Sequence, residues 1–86
     1  MRRPGQPDRP VVTLYGKPGC CLCDDARLEI HKAMATVDFE LVEVDVSLDP
    51  VLFRRYGERI PVVEVGGEEA FELHVSAAGL LDRVTA

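Results

Sequence analysis

Positive charge is scarce in this chain. Ten Lys+Arg stand against 15 Asp+Glu over 86 residues, a formal net charge of −5. Nucleic acid and anionic membrane surfaces are recognised through basic patches, so neither is the expected main partner. Long apolar runs are missing too, since none approaches the roughly 20 residues that span a bilayer. Met1-Arg2-Arg3 resembles the basic start of a signal peptide, but Pro-Gly-Gln-Pro-Asp-Arg-Pro follows where an apolar segment would have to stand. Secretion is therefore not expected, and the cytoplasm is the expected location. Internal repeats and low-complexity stretches are also lacking in the core. At 47% hydrophobic and 29% charged residues, the composition is that of a globular domain rather than a disordered chain. A domain of this size buries only about 60–65% of its unfolded surface, so one compact core has to serve the whole fold.

Cysteine is sparse and oddly placed. The chain has three, Cys20, Cys21 and Cys23, within four positions. A secreted scaffold distributes an even number of cysteines to staple distant loops. An odd, clustered set points to chemistry instead of framework.

The pattern along the chain supplies a setting for these thiols. Residues 1–10, with Pro4, Pro7 and Pro10, read as a flexible tail, and residues 11–86 as a single domain. Val11 to Tyr15 is a β-branched and aromatic run, hence a strand, and Gly16-Lys17-Pro18-Gly19 breaks it. From Cys20 onward Cys23, Ala26, Ile30, Ala33, Met34 and Val37 share one helical face. Asp38 to Val46 is a second strand whose alternation changes phase between Leu41 and Val42. That slip implies a bulge, or two faces that are both partly buried. Ser47 is placed to cap a short helix with Pro50 in its first turn and Leu48, Leu52 and Tyr56 on one face; Gly57 ends it in left-handed backbone. Ile60 to Val65 is a third strand, Gly66-Gly67 a hairpin turn, and Glu68 to Leu73 a fourth. Ser76 caps a last helix that buries Ala77, Leu80, Leu81 and Val84. The order βαβαββα implies an α/β fold: a four-stranded mixed sheet with helices on both faces.

Two thiols at i and i+3 on the first turn of a helix are close enough to bridge without unfolding. The first of them sits where unpaired N–H groups and the helix dipole stabilise an anion. Such a site lowers a thiol pKa and makes the sulfur nucleophilic. Cys20 therefore reads as the nucleophile and Cys23, pointing with Ala26 and Ile30 toward the core, as the resolving thiol. Lys17 adds favourable charge nearby and Asp24 and Asp25 oppose it, so a moderate lowering at Cys20 is expected. A closed zinc site would want four ligands, and only His31 and His74 remain, far apart and each alone. No metal is expected. Cys21 reads as an inert third thiol, with adventitious disulfides or a share in motif specificity as alternatives.

These residues are familiar together. Val12-Thr13-Leu14-Tyr15-Gly16-Lys17-Pro18-Gly19-Cys20-Cys21-Leu22-Cys23 resembles the opening of glutaredoxins and of short glutaredoxin-like bacterial proteins with the thioredoxin fold. Ile60-Pro61-Val62-Val63, ahead of a two-glycine hairpin, resembles that fold's second landmark. The resemblance covers about residues 11–85. It implies a thioredoxin-like fold, Cys20 and Cys23 as the catalytic pair, and Pro61 as a cis-proline opposite them. It further implies that the Ile60 backbone pairs with a bound peptide or glutathione, and that Tyr15 and Lys17 flank the substrate. The chain departs from typical dithiol glutaredoxins in having Cys21-Leu22 where they have Pro-Tyr. It also has His74-Val75-Ser76 where a Gly-Gly pair and an Asp hold glutathione, and it lacks the thioredoxin tryptophan. The N–H groups opening the last helix are expected to be open to an anion.

The first expectation is thus a monomeric thiol–disulfide oxidoreductase cycling through a Cys20–Cys23 disulfide. Protein disulfides or glutathione are its partners, with glutathione as a candidate co-substrate and no tightly bound cofactor. Two alternatives stand beside it. One is a thioredoxin-fold binding module holding a metal or iron–sulfur cluster through Cys20 or Cys21, and the other a redox-inactive interaction domain.

Overall fold

The computed structural model describes residues 10–85, so all of the expected tail over residues 1–10 except Pro10 lies outside the described residues. The elements are β1 (Val11–Gly16), α1 (Cys21–Met34), β2 (Glu40–Asp45), a 3-10 turn (Val46–Leu48), α2 (Pro50–Tyr56), β3 (Val62–Val65), β4 (Glu68–Glu72) and α3 (Ala77–Val84). The expected order holds. One sheet forms in the order β2-β1-β3-β4, with β1 parallel to β2 and antiparallel to β3, and β3 antiparallel to β4. Pro10 is tied to this sheet, its carbonyl accepting from Glu40 N–H at 2.9 Å.

Alternation within the strands sends side chains to two cores. Val12, Leu14 and Val63 pack with Ala26, Ile30 and Ala33 of α1 and with Leu80 and Val84 of α3. On the other side Val46, Tyr56 and Val62 form a second cluster that also takes in Cys23 and Ile60. Helices on both faces of a mixed sheet result, the arrangement expected of a thioredoxin-like fold.

Several local expectations are corrected. The phase slip in the second strand is no bulge, because β1 and β2 stay in register from Val11↔Glu40 to Gly16↔Asp45. Both faces of this edge strand are partly buried: Leu41 packs on the α1/α3 side, and Val46, just past it, on the other. The irregularity lies between Val63 and Glu64, where β3 meets β4. Asp49, not Ser47, caps α2. Its carboxylate accepts from Val51 N–H at 2.9 Å and Leu52 N–H at 3.4 Å, next to Pro50 at the start of the helix. Ser47 belongs to the preceding turn, donating through its hydroxyl to Asp45 at 2.6 Å. Leu48 consequently points outward and is 81% exposed. Gly57 is right-handed, with φ −53°, so its glycine answers crowding instead: a Cβ there would stand 2.5 Å from Phe53 O. The third strand starts at Val62 rather than Ile60.

The rest follows the sequence closely. Gly66 and Gly67 have φ 62° and 87°, the positive values that a two-residue hairpin needs. Gly79 N–H donates to Ser76 Oγ at 3.1 Å, capping α3. No helix among the described residues is long and apolar enough to cross a membrane.

Candidate active site

Gly19, at φ 79°, turns the chain after β1 so that Cys20 becomes the N-cap of α1. A cap residue normally offers a side-chain oxygen to the first turn. Here the sulfur does so: Cys23 N–H donates to Cys20 Sγ at 3.2 Å, and Asp24 N–H to the Cys20 carbonyl at 3.1 Å. A thiolate on Cys20 would thus receive a hydrogen bond at the positive end of a 14-residue helix.

The three thiols occupy three environments: Cys20 half-buried, Cys21 exposed, Cys23 wholly buried, and all of them free. Burial, followed by the neighbouring Cys20 side chain, pushes the Cys23 thiol up to about 11, against an opposing hydrogen bond donated by the Lys17 backbone. Cys23 is therefore a protonated thiol at neutral pH. Among the described residues no three or more His, Cys, Asp and Glu side chains gather as a metal-binding group.

Ile60 lies in the cluster that contains Cys23 and against which Cys20 packs. The Ile60–Pro61 peptide bond is cis, and Pro61 is fully buried with its carbonyl accepting from Leu73 N–H at 2.8 Å. Tyr15 packs against the same cluster, but its hydroxyl is already engaged, donating to Glu64 Oε1 at 3.1 Å. Tyr56 donates to the other oxygen, Glu64 Oε2, at 3.2 Å, and the two rings stack with centroids 4.3 Å apart. Burial and then Glu64 push the Tyr15 phenol up to about 12. Sequence reasoning named Tyr15 but missed Tyr56 and Glu64. The Tyr15–Glu64 partnership spans 49 residues and has no periodic signature.

Lys17 is exposed, on the rim of a cleft of about 360 Å³ beside the motif. Asp24, Arg27, Glu43 and Asp45 also line it. Arg27 is shared between Asp24 at 3.0 Å and Glu43 at 2.8 Å, which leaves Lys17 as the cation there without an ion pair among the described residues.

The anion site expected at the start of α3 is already filled from within. Ala77 N–H donates to Glu29 Oε1 at 2.9 Å, and Gly79 N–H to the Ser76 hydroxyl. Lys32, at 2.8 Å, and then this backbone contact hold the Glu29 carboxyl below its usual value. A carboxylate from α1 thus takes the place that an external anion was expected to occupy.

Known proteins share this fold. No curated protein matches the chain. Among solved structures it is similar to the structural genomics target protein XcR50 from X. campestris, at 29% identity and TM-score 0.71, covering 86% of this chain and 95% of that one. It is also similar to protein Ne2328 from Nitrosomonas europaea, at 21% identity and TM-score 0.78, covering 98% and 99%. A mutant thioredoxin from Halobacterium salinarum shares the fold at 20% identity and TM-score 0.65, covering 88% and 72%. The family model for the glutaredoxin-like domain (DUF836) matches residues 11–85. With a thioredoxin fold, a Cys20/Cys23 pair opening its first helix and that match over nearly its whole length, the chain belongs to the glutaredoxin-like domain family.

Proposed function

We propose that the protein is a thiol–disulfide oxidoreductase whose Cys20 thiolate attacks a substrate disulfide. The substrate S–S bond breaks, a Cys20–substrate mixed disulfide forms, and one substrate thiolate leaves to take a proton from water. Cys23 then gives up its proton, attacks Cys20 Sγ and releases the second substrate thiol. Two electrons have passed to the substrate, and the Cys20–Cys23 disulfide is reopened by an external thiol. The observation that carries this reading is the division of labour between the two sulfurs. Cys20 is half-buried at the helix cap and accepts a hydrogen bond, whereas Cys23 is buried and protonated. A part-exposed, hydrogen-bonded sulfur suits the first attack, and a buried thiol beside it stays protonated and out of that step until it attacks the mixed disulfide as a thiolate.

Protein disulfides are the favoured substrates. Glu29 and Ser76 occupy N–H groups at the start of α3 that a small anionic thiol would otherwise use, while Ile60 lies in the cluster that holds the thiols, and its backbone is the segment that would pair with an extended peptide. Lys17 is the residue for a carboxylate near the motif. Glutathione serves as reductant or as a slower substrate, no bound cofactor takes part, and the protein acts as a monomer in the reducing cytoplasm.

The test is alkylation of Cys20 against pH in Cys21→Ser and in Cys21→Ser/Cys23→Ser, alongside reduction of a protein disulfide and of a glutathione mixed disulfide. Cys20 reacting at neutral pH, with faster turnover of the protein disulfide, is the expected result. Reactivity no greater than that of a free thiol, with no turnover of either substrate, would remove the enzymatic reading.

A further inference from the structure

Gly16 ends β1 directly against the resolving thiol. A Cβ added to it would stand 2.9 Å from Cys23 Sγ and 3.3 Å from Cys23 Cβ. Favourable contacts between such atoms lie at about 3.5–4.0 Å, so a side chain of any size at position 16 overlaps the sulfur. Gly16 is not among the glycines with positive φ, which are Gly19, Gly66 and Gly67. Its backbone is ordinary strand, open to any residue. The requirement for glycine here is steric, and what it accommodates is Cys23.

Neither partner is free to retreat. Gly16 is held in the parallel ladder opposite Asp45. Cys23 is wholly buried on α1, whose Ala26, Ile30 and Ala33 are locked into the main core. With α1 anchored in this way, backing Cys23 away means turning its sulfur to another rotamer. That changes the relation of Cys23 Sγ to Cys20 Sγ while leaving the hydrogen bond from Cys23 N–H to the Cys20 sulfur, at 3.2 Å, in place.

We propose that Gly16 is a positioning residue for the second half of the reaction: lacking a side chain, it lets Cys23 Sγ lie against the end of β1, where it can reach Cys20 Sγ. The inference rests on the dithiol cycle proposed above. It assigns Gly16 no part in the first step, which involves only Cys20 and the substrate disulfide. In the second step the Cys23 S–H bond breaks, a bond to Cys20 Sγ forms, and the Cys20–substrate bond breaks as the substrate thiol leaves with the proton.

The experiment separates the two steps with 5,5′-dithiobis(2-nitrobenzoate), using the full chain in a Cys21→Ser background. Attack by Cys20 releases one coloured thiolate, and resolution by Cys23 releases the second. Misplacing a reacting atom by ~1 Å costs up to about 100-fold. Gly16→Ala is therefore expected to slow the second release by about 10- to 100-fold while the first stays within about twofold, with Gly16→Val slower still. A second release that keeps pace with wild type, or a fall of both releases together, would overturn the proposal.

A stability cycle tests the contact without relying on turnover. The thermal penalty of Gly16→Ala is expected to be large with Cys23 present and to shrink in Cys23→Ala, because the atom being struck is gone. An equal penalty in both backgrounds would mean that Gly16 serves the strand and not the thiol. Failure of the first release in the Cys21→Ser background itself would instead sink the oxidoreductase reading, and the cycle would still decide whether Gly16 and Cys23 are coupled.

Discussion

The two sides of the sheet are built from different materials. Toward α1 and α3 every buried residue is hydrocarbon, from Val12 and Leu14 of β1 to Ile30, Phe39 and Leu80. Toward α2 the cluster holds Cys23 and Tyr56 beside Val46, Ile60 and Val62, with Tyr15 and Cys20 half-buried against it. The first side can be packed densely because none of its buried side chains carries a group needing a hydrogen-bond partner. On the second side each polar atom must be matched, as the tyrosine hydroxyls are on Glu64 and the Cys20 sulfur is by Cys23 N–H. A chain of this size has little stability to spare. Placing the reactive groups on one side leaves the other free to hold the fold, so substitutions on the two sides should separate activity from stability.

The largest effect expected is on activity. Cys20→Ser should reduce disulfide turnover to about a thousandth or less, since the hydroxyl is a far weaker nucleophile, while the urea midpoint of the reduced protein moves little. Substantial residual turnover would point to Cys21 as a second nucleophile. The converse is Phe39→Ala, on the hydrocarbon side. It removes a fully buried ring and should cost about 3–5 kcal/mol, read by urea unfolding. Cys20 in the folded fraction should keep its reactivity. Loss of thiol reactivity beyond the unfolded fraction would show that the two sides are not separable.

Alkaline pH should act through the reactive side. The Cys23 thiol is raised from the ordinary 9.0 to about 11, chiefly by burial. Below pH 9.0 it is protonated in the folded and unfolded chains alike, and the stability it contributes is fully present. Above that the unfolded chain ionises first, so stability falls as pH rises toward 11. Tyr15, raised from 10.0 to about 12, extends the decline upward in the same sense. Urea midpoints of the reduced protein should therefore drop through this range. Cys23→Ala should flatten the lower part of the slope, and Tyr15→Phe the upper part. An unchanged slope in Cys23→Ala would mean that the thiol is not the group responsible.

A smaller effect should follow at Tyr56→Phe, which removes one of the two hydroxyls on Glu64 and keeps the stacked ring. Loss of one hydrogen bond contributes about 0.5–1.5 kcal/mol. Tyr15 still donates to the other oxygen, so the lower end of that range is expected by urea unfolding. A cost above it would show that Glu64 depends on both phenols.

The hydrocarbon side was largely legible in the sequence, because it is made by periodicity. The 3–4 spacing from Cys23 through Ala33, the hairpin glycines and the Ser76 cap are local signals, and each led to the observed element. The thiol pair was legible for the same reason, its spacing and its place at the helix start being local facts. What escaped was non-local or decided by competition. Glu64 and Tyr56 meet Tyr15 only after folding, and Glu29 reaches Ala77 N–H across 48 residues. Gly16 read as a strand breaker because its neighbour Cys23 lies on another element. Ser47 and Asp49 both have capping side chains, and the carboxylate adjacent to Pro50 took the position.

That last competition yields the prediction of smallest expected effect. A helix capped by Ser47 would carry Leu48, Leu52 and Tyr56 on one inward face, and Leu48→Ala would then cost about 2–5 kcal/mol as a core truncation. With Asp49 as the cap, the helix starts at Pro50, and residues 46–48 form a separate 3-10 turn that buries Val46 instead. Leu48 is left in solvent, and its truncation should change stability by no more than about 0.5 kcal/mol in either direction. The urea midpoint of Leu48→Ala thus distinguishes two phases of the same segment. Val46→Ala supplies the scale, because it cuts a wholly buried side chain two residues away and should be clearly destabilising. If the two variants exchanged ranks, the α2 side would have to be rebuilt around an inward Leu48. The cluster that holds Cys23 would then have a different wall.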